Sequence, residues 1–216
     1  MRITSIEPQK KNPTRRNIYA HGEFILGISA ETLLRFGLRV GDELPPALMT
    51  AIEKAEELVG AKGAALRFLA VRPRTEREIR DKLREKEFGD EEISHTIQAL
   101  TKAGLLDDAA FARMYIRDAL AVRPAGKMLL KRKLLLLGVD KRVADDAIEE
   151  TFMGVDVHAT ALALAREFTK KTRNLKKNET PLKLRSRVSA FLARKGYGWD
   201  VIEEVIKDVL THGEEE

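Results

Sequence analysis

The chain contains no cysteine, only 6% of its 216 residues are aromatic, and it has no long apolar run. The absence of cysteine excludes a disulfide framework, a thiolate zinc site and a cysteine nucleophile. No apolar stretch approaches the roughly 20 residues of a membrane span, and the N-terminal residues Met1-Arg2-Ile3-Thr4 do not start a signal peptide. We therefore expect a cytoplasmic protein without a membrane partner.

Charged and aliphatic residues make up most of the chain. Hydrophobic residues account for 44% and charged residues for 34%, a composition that favours an all-α fold over a sandwich or barrel. The formal net charge is +5 and the pI is about 9.4. A modest positive charge suits a polyanion or an acidic partner, although a plain solvated surface gives the same total.

The first 60 residues have a pattern of their own. Residues 17–28 carry apolar side chains on both sides of His21-Gly22, which predicts a short β-hairpin. Ser29 then has the position of an N-cap and Gly37 that of a helix stop. Pro45 and Pro46 suit the first turn of a further helix. We predict an N-terminal cap over residues 1–60, with a hairpin and helices.

The remainder repeats one frame three times. An apolar pair spaced four residues apart is followed, four residues later, by a turn: Ile79, Leu83 and Glu87; Leu130, Leu134 and Gly138; Val188, Leu192 and Gly196. A helix precedes each frame, with Leu66, Leu69 and Ala70 as its predicted apolar stripe in the first copy, and an acid-rich helix follows. Glu87 stands where the other copies have glycine, which predicts a different turn there.

These features predict an elongated tandem array of three three-helix, helix-turn-helix-like repeats. The predicted repeats cover residues 61–104, 105–154 and 155–216. At the first seam, Gly104 ends a helix, Leu105 and Leu106 are apolar anchors, and Asp107 caps the next helix.

Charge is sorted by helix. The second helices are basic, within residues 123–142 and 166–195, and the third helices are acidic. Two matching basic tracts indicate contact with phosphate or acidic protein surface, whereas a single tract is more often a solvated helix face. Residues 169–178 are predicted either as a mobile loop whose lysines touch phosphates or as a linker. An acidic third helix would repel phosphate in a major groove, so we do not expect sequence-specific readout.

Signatures of catalysis are missing. The four histidines are scattered, and neither a phosphate-binding loop nor a dinucleotide motif is present. Helix dipoles and solubility account for the paired carboxylates. Tyr197 and Trp199 could form an exposed stacking platform, although packing beneath the last repeat is the commoner use of such rings. We predict no catalytic residue, metal site or cofactor, and a protein that is not an enzyme.

Three stretches carry a resemblance to a known family. "GLLDDAAFARMYIRDAL" at residues 104–120, "RPRTEREIRDKL" at 72–83 and "LLLLGVDKRVADDAIEE" at 134–150 are similar to segments of the RecX family, which regulates the recombinase RecA. "PQKKNPTRRNIYAHGEFILGIS" resembles the strand-bearing N-terminal extension of some members. The resemblance implies a three-helix-repeat protein that binds along the groove of the RecA–single-stranded-DNA filament. There it would inhibit ATP hydrolysis, strand exchange and cleavage of the LexA repressor, and so modulate recombination and the SOS response.

Two functional hypotheses follow. In the first, a monomer binds the RecA filament together with single-stranded, and as a further option double-stranded, DNA without sequence preference. The predicted contact residues are ten cations: Arg123, Lys127, Lys131, Arg132, Lys171, Arg173, Lys176, Lys177, Arg185 and Arg187. The alternative is an autonomous DNA-binding protein, of the transcriptional-regulator type, that uses its helix-turn-helix-like units on duplex.

Overall fold

The computed structural model describes residues 1–173 and 180–211. Backbone packing divides the chain into two compact units. The first comprises Met1–Arg74 and Glu78–Leu106, and the second comprises Thr75–Arg77 and the residues from 107 onward. Across the described residues the chain is predominantly helical with one small N-terminal sheet, which confirms the predicted fold class of three-helix repeats behind a strand-containing cap.

The first unit contains the cap and the first repeat. Its strands are β1 (Ile3–Pro8), β2 (Arg15–Ala20) and β3 (Glu23–Ser29). Its helices are α1 (Ala30–Phe36), α2 (Pro46–Val71), α3 (Glu76–Arg84), whose first two residues belong to the second unit, and α4 (Asp90–Lys102).

The second unit contains the other two repeats. The second repeat consists of α5 (Asp108–Val122), α6 (Lys127–Leu136) and α7 (Lys141–Phe152), and the third consists of α8 (Val157–Arg173), α9 (Pro181–Arg194) and α10 (Trp199–Thr211).

The predicted hairpin is present as β2 and β3. His21 and Gly22 at its tip have φ values of 54° and 82°, the left-handed backbone that a two-residue hairpin turn requires. A third strand, β1, pairs antiparallel with β2 and extends the hairpin into a sheet of order β1-β2-β3. Burial of Ile3 in the cap core accounts for this strand, because its own alternation is short and weak.

One carboxylate joins the sheet to α2. The Ser29 backbone N–H donates to Glu56 Oε1 at 2.7 Å, and Arg15 lies 3.0 Å from Oε2. Burial of Glu56 acts to raise its pKa. Hydrogen bonds from Thr32 and Ser29 and the charge of Arg15 outweigh that burial, so the pKa lies below its usual 4.5. The ionised carboxylate therefore holds the cap on the first repeat.

The cap helix and the first helix of the first repeat are one continuous helix, α2. It begins at Pro46 as expected, and the predicted boundary between residues 60 and 61 falls inside it; the domain boundaries stay a prediction. Its buried residues in the repeat are Ala61, Ala64 and Ala65, whereas Leu66 and Ala70 are exposed. The predicted stripe is therefore wrong at Leu66 and Ala70, whereas Leu69 is partly buried and packs against the core beside the alanines.

The repeated frame itself is confirmed in all three copies. The six apolar residues of the frame are each at most 1% exposed: Ile79, Leu83, Leu130, Leu134, Val188 and Leu192. Each pair lies in the core of its own repeat together with the apolar residues of the first and third helices. Four-residue spacing on a 3.6-residue helix accounts for this shared burial.

The three turns after the frame are alike, so the predicted difference in the first repeat is wrong. Glu87 has φ 64°, close to 89° at Gly138 and 84° at Gly196. In each copy the next residue donates its N–H back to the second frame residue: Phe88 to Leu83, Val139 to Leu134 and Tyr197 to Leu192. A glutamate thus occupies a left-handed position that the other repeats give to glycine.

The seam after the first repeat largely follows the prediction. Gly104 has φ 69° and ends the helical turn, and Asp107 accepts hydrogen bonds from the N–H groups of Ala109 and Ala110. Leu106 is buried in the core of the first repeat, but Leu105 is 53% exposed. Only one of the two leucines is an anchor.

The predicted loop at residues 169–178 is helical at its start. Helix α8 continues through Arg173, so a loop is wrong for residues 169–173, and residues 174–179 lie outside the described residues.

Candidate nucleic-acid and protein interface

Helix α6 positions three of the predicted cations, Lys127, Lys131 and Arg132. Burial of Leu130 and Leu134 fixes its inward face, which places Lys127 and Lys131 on the flank beside α7. There Lys131 Nζ forms an ion pair with Asp145, and Lys127 Nζ lies 5.5 Å from the centre of the Phe152 ring. Both lysines therefore have partners within the second repeat.

The opposite side of α6 combines a cation with large apolar side chains. Arg132 lies two residues from both buried leucines and points away from the core. It has no ion-pair partner in the part of the chain that the structure describes. Met128 and Leu136 on the same side are 65% and 74% exposed, and Leu135 is also exposed. We call Met128, Arg132, Leu135 and Leu136 the outer face of α6.

Arg123 ends α5 and borders a groove within the second unit. The groove lies where α5 and the start of α6 meet the end of α9. Its charged lining residues are Arg123, Lys133, Lys195 and Asp118, and its other lining residues include Tyr115, Val122 and Leu129. We call it the joint groove. Three cations face one carboxylate there, so its local charge is positive.

Backbone hydrogen bonds build the joint groove. The N–H of Gly126 donates to Lys195 O at 2.8 Å, and the N–H of Met128 donates to Gly196 O at 3.1 Å. The start of α6 thereby satisfies carbonyls at the end of α9. A corresponding bond within the second unit joins Thr75 Oγ1 to Leu137 O, at 2.6 Å.

The predicted cations of the third repeat differ in their surroundings. Lys171 donates to Glu167 at 2.6 Å, and this hydrogen bond and charge lower the pKa of Glu167. Arg187 lies 5.5 Å from the ring centre of Phe168. Arg185 is exposed and borders a shallow groove with Trp199, which is 62% exposed. The side chain of Arg173 and residues Lys176 and Lys177 lie outside the described residues.

The two aromatic residues near the last turn, Tyr197 and Trp199, differ in burial. Tyr197 is buried, and burial raises its pKa to about 12. The prediction of packing is thus confirmed for Tyr197 and wrong for Trp199. The exposed indole beside Arg185 offers a surface on which an unpaired base can stack.

The structure brings only part of the predicted site together. Arg123 shares the joint groove with Lys133 and Lys195, two residues of the basic tracts that are not among the ten predicted. Charge alone placed both lysines in the basic tracts; alignment of "VRPRT" at 71–75 with "VRPAG" at 122–126 relates Arg123 to Arg72 and does not single out either lysine. Arg132 and Arg185 are exposed at other places, whereas Lys127, Lys131, Lys171 and Arg187 have local partners.

No metal cluster or membrane-spanning helix is found in residues 1–173 and 180–211. Within those ranges no three His, Asp or Glu side chains converge on a cation position. No helix there is both long and apolar enough to cross a bilayer.

Protein-family models match the N-terminal cap and each of the three repeats. The matches are to the regulatory protein RecX N-terminal domain at residues 1–45 and to the first, second and third RecX three-helix domains at residues 61–100, 107–148 and 160–206.

Curated relatives match over nearly the full chain. A regulatory protein RecX from Clostridium botulinum is 31% identical over 214 residues, with 97% of each chain covered. One from Clostridium perfringens is 34% identical, with 99% of this chain and 98% of the relative covered. One from Bacillus velezensis is 32% identical, with 99% and 80% covered.

Solved structures show the same fold. A crystal structure of regulatory protein RecX is 28% identical, covers 96% of this chain and 98% of its own, and has a TM-score of 0.81. RecX from Lactobacillus salivarius is 25% identical, covers 71% and 97%, and has a TM-score of 0.64. From the strand-bearing cap to the third three-helix repeat, this chain belongs to the RecX family of regulatory proteins.

Proposed function

We propose that this chain binds the RecA–single-stranded-DNA filament as a monomer and inhibits its ATPase, strand-exchange and coprotease activities. Inhibition of those activities would modulate recombination and the SOS response. Family membership supports a regulatory role, and the chemistry of the outer face of α6 supports a protein partner. Under this proposal the cytoplasm is the site of action, since the filament forms there.

The outer face of α6 is the observation that carries the proposal. Exposed Met128 and Leu136 flank Arg132, and methionine, arginine and aliphatic contacts are typical of protein interfaces. A second copy of this chain would bring Arg132 near its own symmetry mate, which disfavours self-association through this face. An acidic residue within an apolar patch on RecA would complement it.

The basic residues supply the electrostatic part of binding. Arg123, Arg132 and Arg185 are exposed and available to phosphate or carboxylate, whereas Lys131 is already paired with Asp145. Such contacts would be sequence-independent and sensitive to salt. Of the ten predicted contact residues, we therefore give the largest electrostatic contribution to these three exposed arginines in the described part of the chain. Arg173, Lys176 and Lys177 stay predicted contacts.

The test is ATP hydrolysis by preformed RecA filaments on single-stranded DNA during titration with this protein. We expect the rate to fall at substoichiometric amounts of protein. Leu136→Ser should raise the concentration for half-inhibition about tenfold, because an exposed apolar contact is lost. Leu34→Ser, at the 80% exposed Leu34 of α1, is the matched control and should leave inhibition unchanged. An unchanged rate with wild-type protein would contradict the proposal.

The alternative function, autonomous recognition of duplex, has less support. The helix that follows the tight turn in the second repeat, α7, exposes Asp146, Glu149 and Glu150. Carboxylates in a major groove repel the flanking phosphates. A footprint on one preferred duplex sequence, without RecA, would favour this alternative.

A further inference from the structure

We infer that the joint groove binds the phosphodiester backbone of single-stranded DNA. Among the described residues, Arg123, Lys133 and Lys195 line it with one carboxylate, Asp118, and its other lining residues are mostly apolar. Within residues 1–173 and 180–211, neither Arg123 nor Lys133 has an ion-pair partner. The choice of DNA over other polyanions rests on the proposed function.

Backbone contacts between the start of α6 and the end of α9 fix the walls of the joint groove. Gly126 and Gly196 touch so closely that a Cβ on Gly126 would lie 2.1 Å from Gly196 O. The two hydrogen bonds from the start of α6 to the end of α9 lock this approach. Arg123 and Lys195 are therefore presented from a preformed scaffold, and little ordering of backbone is needed when a ligand binds.

Comparison with the first repeat shows that the positive charge of Arg123 is left without a partner. Arg72 is the equivalent of Arg123, and it forms an ion pair with Glu78, six residues further on, at 2.5 Å. Six residues beyond Arg123 stands Leu129. The second repeat keeps the arginine and lacks the carboxylate.

Lys133 repeats the same substitution. Its equivalent in the first repeat is Lys82, which pairs with Glu85 at 2.5 Å, one helical turn away. One turn beyond Lys133 stands Leu136. Two cations of the shared frame thus lack, in the second repeat, the carboxylates that their equivalents pair with in the first, and both lie at the joint groove. Two unpaired cations at one groove point to an external anion.

The lining favours a single strand. Val122, Leu129 and neighbouring apolar side chains line the groove together with the cations. The sugar and base faces of an unpaired strand can cover such an apolar lining while its phosphates contact the cations, whereas a duplex presents phosphates outermost and keeps its base faces stacked inside.

Fluorescence anisotropy of a labelled oligo-dT strand with the full chain, without RecA, tests the inference. Arg123→Gln/Lys133→Gln should weaken binding about tenfold and lower the salt slope by about 1.4, as expected for two lost phosphate contacts. Lys141→Gln/Arg142→Gln removes the same charge from the exposed start of α7 and should cost less than twofold. Equal losses in the two double variants would overturn the inference.

A second pair of variants tests neutralisation without removing a cation. Leu136→Glu recreates beside Lys133 the carboxylate that Glu85 provides to Lys82, and should weaken oligo-dT binding about threefold. Leu136→Ser removes the leucine without adding charge and should bind oligo-dT normally. Arg123→Lys/Lys133→Arg keeps the charges and should also bind normally. Equal affinity of the Glu and Ser variants would contradict a phosphate-binding groove.

The ATPase assay separates this inference from the proposed function. If Arg123→Gln/Lys133→Gln loses inhibition of RecA but binds oligo-dT like wild type, the groove contacts protein and the inference is wrong. If the expected anisotropy results are obtained while wild-type protein does not inhibit RecA, DNA binding in the joint groove is supported and the proposed function is wrong.

Discussion

Helices α3 and α6 are the second helices of the first and second repeats, yet the charges on their exposed faces differ. Both bury an apolar pair four residues apart at zero exposure. Helix α3 mixes acids with bases, whereas the charged residues of α6 are all basic and leucines stand at the positions of Glu78 and Glu85. A few buried positions specify the three-helix unit, so the remaining surface is free to diverge toward binding.

The largest expected loss of stability is at Gly196, in the turn that follows the second helix of the third repeat. A Cβ on Gly196 would lie 2.3 Å from the Leu129 backbone N at a φ of 84°, so Gly196→Ala should lose about 3 kcal/mol of unfolding free energy. Gly104→Ala is the control, because Gly104 has φ 69° and open space, and should lose about 1 kcal/mol. Urea denaturation measures both. Equal losses would mean that close packing at the joint contributes nothing.

The same comparison predicts a gain in the first repeat. Glu87 has a left-handed backbone that glycine adopts without strain. Glu87→Gly should therefore raise the unfolding free energy by about 0.5 to 1 kcal/mol. A loss of stability would show that the Glu87 side chain makes a stabilising contact.

The first helices of the repeats differ because α2 extends into the cap and carries Glu56. Glu56→Gln should cost about 2 kcal/mol at pH 7, since it removes a charged hydrogen-bond acceptor from Ser29. The folded pKa lies below 4.5, so this stability is fully present above pH 4.5 and is lost as the pH falls through the folded value. The difference between wild type and variant should shrink in acid. Glu53→Gln, at an exposed site on the same helix, is the control and should cost less than about 0.5 kcal/mol at pH 7.

The residue after the turn carries a hydroxyl group in the third repeat but not in the other two. Tyr197 takes the place of Phe88 and Val139, and its hydroxyl is buried with no hydrogen-bond partner among the described residues. Tyr197→Phe should raise the unfolding free energy by about 1 kcal/mol, because the unsatisfied hydroxyl is removed. A loss of stability in thermal unfolding would show that the hydroxyl is satisfied.

Giving the first repeat the surface of the second has the smallest expected effect. Glu78→Leu removes the ion-pair partner of Arg72 and gives the first repeat the leucine that the second repeat has at Leu129. The unpaired Arg72 should then raise affinity for oligo-dT about twofold. Stability should change by less than about 1 kcal/mol, because Arg72 is half exposed and surface ion pairs contribute little. Anisotropy at low salt measures the gain. Weaker binding would contradict the role given to unpaired cations.

Prediction from sequence succeeded where local pattern and burial agree. The spacing of Leu130 and Leu134 and the caps at Ser29 and Asp107 identified helices correctly, because helix periodicity and capping are short-range properties. The predicted stripe was wrong at Leu66 and Ala70 but right at Leu69, because the packed face of α2 is lined largely by alanine and residue size alone does not show it. The turn at Glu87 was misjudged, because the fold of the first repeat can hold a non-glycine residue at positive φ.

The candidate site was partly within reach of the sequence. Charge sorting located the basic helices, and Arg123 lines a groove, while its role in binding stays a prediction. The sequence could not show that Lys131 pairs with Asp145, or that Lys195 lines the same groove as Arg123 and Lys133, since these residues lie on different helices.

By itself the sequence determined the repeat unit, its family and its sorted charge, since each follows from residues within a few helical turns of one another. Tertiary structure alone decided which cations are neutralised and which are exposed. That choice depends on close approaches such as Gly126 to Gly196, where backbone from two repeats meets, and no local pattern records a distance between residues 70 positions apart.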